Sequence, residues 1–209
     1  MAGSEELIPL HTRSYDVVAF RKDATTLLLR GEVRDVKPPG VYIADDPDPI
    51  TVHHMVVELS IEMPGLEIVD AQVVMETHPH ATCPNVLPRY DRIVGLSIAR
   101  GFNAKVRELF GGPLGCTHTT ALLVAMAPVA LQSAWSMRAL ERRDADDDVP
   151  FDPAQRAQVI RGSINTCHVW EEGGEHHLTM RDSEHIHPAI PMQVRLRELG
   201  QDPQGRLRG

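Results

Sequence analysis

The chain has 209 residues, 21 basic against 29 acidic, for a formal charge of −8 with histidine neutral, a balance that repels a phosphate backbone rather than attracting it. Hydrophobic residues make up 42%, charged residues 24% and aromatics only 4%, which describes a folded chain with an aliphatic core and excludes disordered and collagen-like classes. The N-terminus, Met1-Ala2-Gly3-Ser4-Glu5-Glu6, lacks the basic and apolar parts of a signal peptide, and no apolar run reaches the ~20 residues that cross a bilayer, so a cytoplasmic protein is expected.

One α+β domain is expected over residues 10–182, with an N-terminal arm at 1–9 and a C-terminal tail at 183–209. From Tyr15 to Thr77 the apolar residues recur with period two, as in Thr26–Val33 and Met55–Ile61, which predicts strands. The separators Lys37-Pro38-Pro39-Gly40, Asp45-Asp46-Pro47-Asp48-Pro49 and Met63-Pro64-Gly65 carry turn chemistry, and connections this short suit antiparallel neighbours. About four strands in a meander, the last over Ile68–Thr77, follow from that pattern.

The character changes after His78-Pro79-His80-Ala81-Thr82-Cys83-Pro84. Pro84 suits the first position of a helix, with Cys83 or Thr82 at its cap. A second helix is predicted over Asn103–Phe110, stopped by Gly111-Gly112-Pro113. The third begins near Thr117, is apolar nearly all round through Met126, contains Pro128 and turns charged at Arg138–Arg143. Asp144–Pro150 reads as an acidic loop, and Asp152 before Pro153 as the cap of one more helix through Ile160. Residues 164–180 read as a hairpin turning at Gly173-Gly174, and the segment from Ser183 as a loosely ordered tail.

Three cysteines, Cys83, Cys116 and Cys167, show no Cys-x-x-Cys spacing, and eleven histidines are many for this length, so chemistry is sought where the two types meet. Cys116 and His118 flank the start of the most apolar helix, where free amides and the helix dipole favour a thiolate. Cys83 stands at another helix start, so the two thiols are expected close together. Within a strand, consecutive side chains point to opposite faces, so one of Cys167 and His168, and one of His53 and His54, reaches a given site. Asp35 and Lys37, two apart, share a face, and His11 precedes the first strand. No dinucleotide, P-loop or nucleophile-elbow motif is present.

In this order, His11-Thr12-Arg13, Asp35-Val36-Lys37, His53-His54-Met55, Cys83-Pro84, Gly95-Leu96, Arg107 with Gly112, Gly115-Cys116-Thr117-His118 and Cys167-His168 resemble an uncharacterised bacterial family, the domain of unknown function DUF2889, over about residues 10–180. More remotely, the layout is similar to iron–sulfur scaffold and sulfur-acceptor proteins of the SufE/NifU type. That likeness implies an antiparallel sheet followed by a cysteine at a helix start and a later helix opening with cysteine and histidine. The scaffold cysteine expected between early strands is missing.

The resulting expectation is a sheet of about four strands covered by three to four helices. A zinc or iron site is expected at Cys83, Cys116 and His118, with a fourth ligand from Cys167, His168 or a nearby histidine, since mixed sulfur and nitrogen donors suit these metals. One rival is a metal-free enzyme in which Cys83 or Cys116 is a nucleophile or sulfur acceptor and His118 its base. A third reading is a cofactor-free lyase or isomerase with a pocket of His11, Asp35, Lys37 and His53. A small molecule is the expected partner, nucleic acid and membranes are not, and a homo-oligomer is left open.

Overall fold

The structure, a computed structural model, describes residues 7–99, 101–146, 152–183 and 188–202. Contacts divide the chain into two compact units, residues 1–137 and 138–209. The first holds an antiparallel meander of β1 (Thr12–Arg21), β2 (Thr26–Lys37), β3 (Ile50–Glu62) and β4 (Glu67–Thr77), in the spatial order β1-β2-β3-β4. The four strands predicted from alternation are all present, and the fold is α+β.

Turn chemistry sets the first hairpin. Asp23 Oδ1 accepts from the amides of Thr25 and Thr26 at 2.9 and 2.8 Å, an Asx-type turn. The register it starts runs from Arg21 opposite Leu27 to Thr12 opposite Val36, and it sets Arg13 opposite Asp35.

One face of the sheet is apolar at odd positions: Leu27, Leu29 and Val33 on β2, and Met55, Val57, Leu59 and Ile61 on β3, all buried. They pack with a 3-10 helix over Cys83–Ile93, α1 (Phe102–Phe110) and α2 (Thr117–Asp144). Pro84 opens the 3-10 helix at its first positions, as the sequence predicts. Helical elements exceed the three or four expected, because a one-turn 3-10 helix at Gly112–Leu114 and further helices after residue 150 add to them.

Gly31 sets how closely α2 approaches. A Cβ there would stand 2.8 Å from Met126 Sδ and 3.1 Å from Leu122 Cδ1, so α2 packs directly on the strand here and a side chain would have to displace the ends of Met126 and Leu122. From Gly31 to Asp35 the strand advances about 14 Å, and from Met126 back to His118 the helix advances about 12 Å. The helix lying against Gly31 at one level therefore brings its first turn over Asp35 at the other.

α2 is the one described helix long and apolar enough to cross a membrane, with a stretch of mean hydropathy 1.4. Its Leu122, Leu123, Met126, Ala127 and Ala130 are buried in the core of the first unit.

The second unit contains α3 (Pro153–Arg161), α4 (Glu175–Asp182) and α5 (Ile190–Glu198). Asp152 caps α3 as predicted, accepting from the Gln155 amide while the Gln155 side chain accepts from the Asp152 amide, a capping box. The predicted hairpin at 164–180 is corrected: this stretch forms a 3-10 helix at His168–Trp170 and then α4. Gly173, with φ +81°, and Gly174, the residue before α4, serve as the entry to a helix, so the glycine pair marks a boundary rather than a strand reversal. The tail after Ser183 is also more ordered than expected, since α5 lies in it. The acidic stretch 147–150 and His185 and His187 fall outside the described residues.

Candidate active site

At the end of the covered sheet face the odd positions turn polar. β2 places Asp35 there, only 2% exposed, β1 places Arg13 beside it and β3 places His53 opposite it. Register shifts occur on both sides of His53-His54: β3 passes from His53 to Thr51 as β2 advances one residue, and β4 passes from Thr77 to Met75 as β3 advances one. Such bulges re-aim side chains at the rim of a sheet.

Asp35 is the centre of the cluster. Arg13 Nε and Nη2 donate to its Oδ1 and Oδ2 at 2.6 and 2.7 Å, a two-pronged ion pair. His118 Nε2 lies 2.8 Å from Oδ2, His53 Nδ1 3.2 Å from Oδ2 and His11 Nε2 3.4 Å from Oδ1. The His53 contact is within ion-pair distance but too poorly aligned for a hydrogen bond, so this buried nitrogen has no hydrogen-bond partner among the described residues. The rings of His53 and His118 stack, with centroids 3.7 Å apart and planes 24° from parallel.

The electrostatics follow from these contacts. The Arg13 guanidinium, outweighing burial, holds the Asp35 carboxyl far below the usual carboxylate range, and Arg13 is raised in return, chiefly by its hydrogen bonds to Asp35. Burial lowers the pKa of both histidines. For His53 the neighbouring His118 adds to that, and for His118 the attraction of Asp35 offsets part of it. An ionised carboxylate only accepts, so His118 donates Nε2–H to Asp35 and its Nδ1 carries the lone pair. That Nδ1 faces Cys116 Sγ at 3.8 Å.

The approach to α2 is fixed from below by Tyr90, a buried residue of the 3-10 helix whose ring packs on Phe110 at 4.7 Å. Its hydroxyl accepts from the Cys116 amide at 2.7 Å and donates to the Cys116 carbonyl at 3.4 Å. A side-chain oxygen from a distant segment thus satisfies an amide at the helix entrance.

The structure brings together four of the residues predicted from sequence, His11, Asp35, His53 and His118, with Cys116 at their edge. Lys37 lies two residues beyond Asp35 on β2, its Nζ 5.4 Å from the centre of the Tyr42 ring. Cys83 begins the 3-10 helix and is half-buried against the core. Cys167 is exposed, preceding the 3-10 helix that His168 begins in the second unit. Among the described residues, the ligand atoms that gather within 4.8 Å of one another belong to Asp35, His53 and His118, a nitrogen and oxygen set that includes neither Cys83 nor Cys116. Arg13 and Tyr90 are site residues that the sequence reading did not select.

A small α+β domain with a carboxylate, an arginine and stacked imidazoles at one end of its sheet is therefore the class that fold and site define. The profile of a family described as a protein of unknown function (DUF2889) matches residues 11–132, more than half of the chain, and the chain belongs to that family. The match contains His11, Asp35, His53, Cys83, Cys116 and His118 and stops before Cys167 and His168, short of the residue 180 expected from the motif order. No curated protein and no solved structure matches the chain, and nothing in these comparisons connects it to the SufE/NifU scaffolds.

Proposed function

We propose that this cluster is the catalytic centre of a small cytoplasmic enzyme that moves a proton on a small-molecule substrate, as a lyase or isomerase does, without a cofactor. The observation that carries the reading is the saturation of Asp35. Both oxygens are engaged by the arginine fork while the imidazoles approach from the remaining directions, so the carboxylate acts as an orienting anion. It holds His118 in one tautomer and stabilises the imidazolium that forms when a proton is taken up. His53, with Nδ1 towards the carboxylate, turns Nε2 away from it. Two stacked rings over one anion hold one proton between them more readily than two, because a second would repel the first. Cys116, next to the free Nδ1 of His118, is a thiol that the same base can deprotonate.

A second reading is a zinc or iron centre held by Asp35, His53 and His118. The bare, buried Nδ1 of His53 favours it, and two histidines with one carboxylate are a donor set such metals accept. Against it stands the Arg13 guanidinium on the same carboxylate. Untagged protein, incubated in D2O with a mixture of small organic acids before and after EDTA dialysis, distinguishes the readings. The proton-transfer reading expects solvent deuterium in an acid both before and after dialysis, and none with His118→Gln. Activity that disappears with EDTA and returns with zinc or ferrous iron assigns the centre to a metal.

A further inference from the structure

Lys37 shares the strand face of Asp35, since β2 alternates and its odd positions 27, 29, 33 and 35 are the buried ones. It is half-buried, and among the described residues no carboxylate lies within ion-pair distance of its ammonium; its contact is the face of Tyr42. The obvious partner, Asp35, is occupied by Arg13. Arg13 and Asp35 cancel, and His53 and His118 are held towards neutral, so Lys37 is the uncompensated charge of the site, positive in a chain of net charge −8. An ammonium on a half-buried side chain, with no carboxylate within ion-pair distance among the described residues, is a standing attraction for an anion. In the connection from β2 to β3, Val41, Tyr42 and Ile43 are exposed at 44%, 66% and 56%, three consecutive apolar side chains of which Tyr42 meets the Lys37 ammonium.

We propose that Lys37 anchors the acidic group of the substrate, which is a small organic acid whose apolar body lies along Val41, Tyr42 and Ile43. The Cα atoms of Lys37 and Asp35 are about 7 Å apart along the strand, so a carboxylate on Lys37 leaves a few carbon atoms to reach the imidazoles. The Tyr42 ring covers one side of the ammonium and leaves its other N–H groups for the carboxylate oxygens. This inference rests on the proton-transfer reading for what happens at the far end of the substrate, but the binding step stands by itself.

The test is an NMR titration of the full chain with hexanoate and, separately, with the neutral 1-hexanol, following the Lys37 Cε–H and the His53 and His118 Cε1–H signals. Hexanoate is expected to shift all three saturably and hexanol to leave them nearly in place. Lys37→Gln is expected to weaken hexanoate by about fivefold or more, and Lys37→Arg to retain it. Equal binding of acid and alcohol, unchanged affinity in Lys37→Gln, or no saturable shift up to on the order of 10 mM hexanoate overturns the proposal. A His53→Gln, His118→Gln double variant separates the two claims: it should still bind hexanoate through Lys37, whatever becomes of the proton transfer.

Discussion

Two neighbouring parts of the same sheet contain almost the same residues. On one face Glu32 accepts from Arg34 at 2.9 Å and meets His54 Nε2 at 3.1 Å. On the other, Asp35 accepts from Arg13 and meets His53 and His118. Each is an acid, an arginine and a histidine, and His53 and His54 are adjacent in sequence. The difference is what lies above them. Glu32 remains 33% exposed and Arg34 50%, so water screens their attraction, whereas Asp35 is 2% exposed beneath the first turn of α2. The covering helix, held close by Gly31, adds a second imidazole and turns an ordinary surface ion pair into a buried, oriented cluster.

The largest break in this comparison is expected from Asp35→Asn. It removes the buried anion that the exposed Arg13 fork and the imidazoles share, and loss of the buried partner of such a pair costs about 3 kcal/mol or more. Thermal melting of the variant should drop by roughly 6 °C or more. An unchanged melting temperature would show that the pair is no more than a surface contact.

Tyr90→Phe keeps the ring on Phe110 but strips the Cys116 amide of its acceptor, and is expected to cost about 1–2 kcal/mol. It should also raise the rate at which iodoacetamide alkylates Cys116, because the entrance to α2 loosens. A Tyr90→Phe variant as stable and as slowly alkylated as the parent would remove Tyr90 from the account.

Acid sharpens the contrast next. His53 and His118 have folded pKa values below the ordinary 6.5, so below about that pH the unfolded chain binds more protons than the folded one. Stability present above 6.5 is then lost as pH falls towards the folded values. Asp35 is shifted the same way, so its contribution, present above the unfolded 3.8, is lost as pH falls below that. Melting temperatures measured from pH 8 downwards should decline in these two windows, and the double variant His53→Gln, His118→Gln should flatten the first. A decline of the same size in the double variant would assign it to other groups.

Glu32→Gln is the smallest expected effect, within about 0.5 kcal/mol by chemical denaturation, as for other exposed ion pairs. A loss comparable to that of Asp35→Asn would erase the distinction between the two faces.

Much of this was legible beforehand. The four strands follow from alternation, and α1, α2 and α3 from their glycine and proline boundaries. The parity of Met55, Val57, Leu59 and Ile61 already points His53 rather than His54 towards the core, a signal the dipeptide alone does not carry. The turn at Asp23 likewise sets Arg13 opposite Asp35, but a first strand expected only from Tyr15 leaves that pairing out of view. His118 lies 83 residues from Asp35, and only the packing of α2 against Gly31 joins them, a tertiary fact with no local trace. The two cysteines at helix starts were placed correctly along the chain. Cys83 packs against the core and Cys116 Sγ reaches only the edge of the cluster, 3.8 Å from His118 Nδ1, because strand register sets Asp35 and His53 together and the packing of α2 adds His118.

The most direct test of one carboxylate orienting the imidazoles is a pH series of nitrogen–proton correlation spectra of the histidine rings, in the parent protein and in Asp35→Asn. The account predicts that neutral His118 is the Nε2–H tautomer, titrates below 6.5, and loses its tautomer preference when Asp35 becomes Asn. A His118 that is Nδ1–H in the parent, or that keeps the same tautomer and midpoint without the carboxylate, would contradict it.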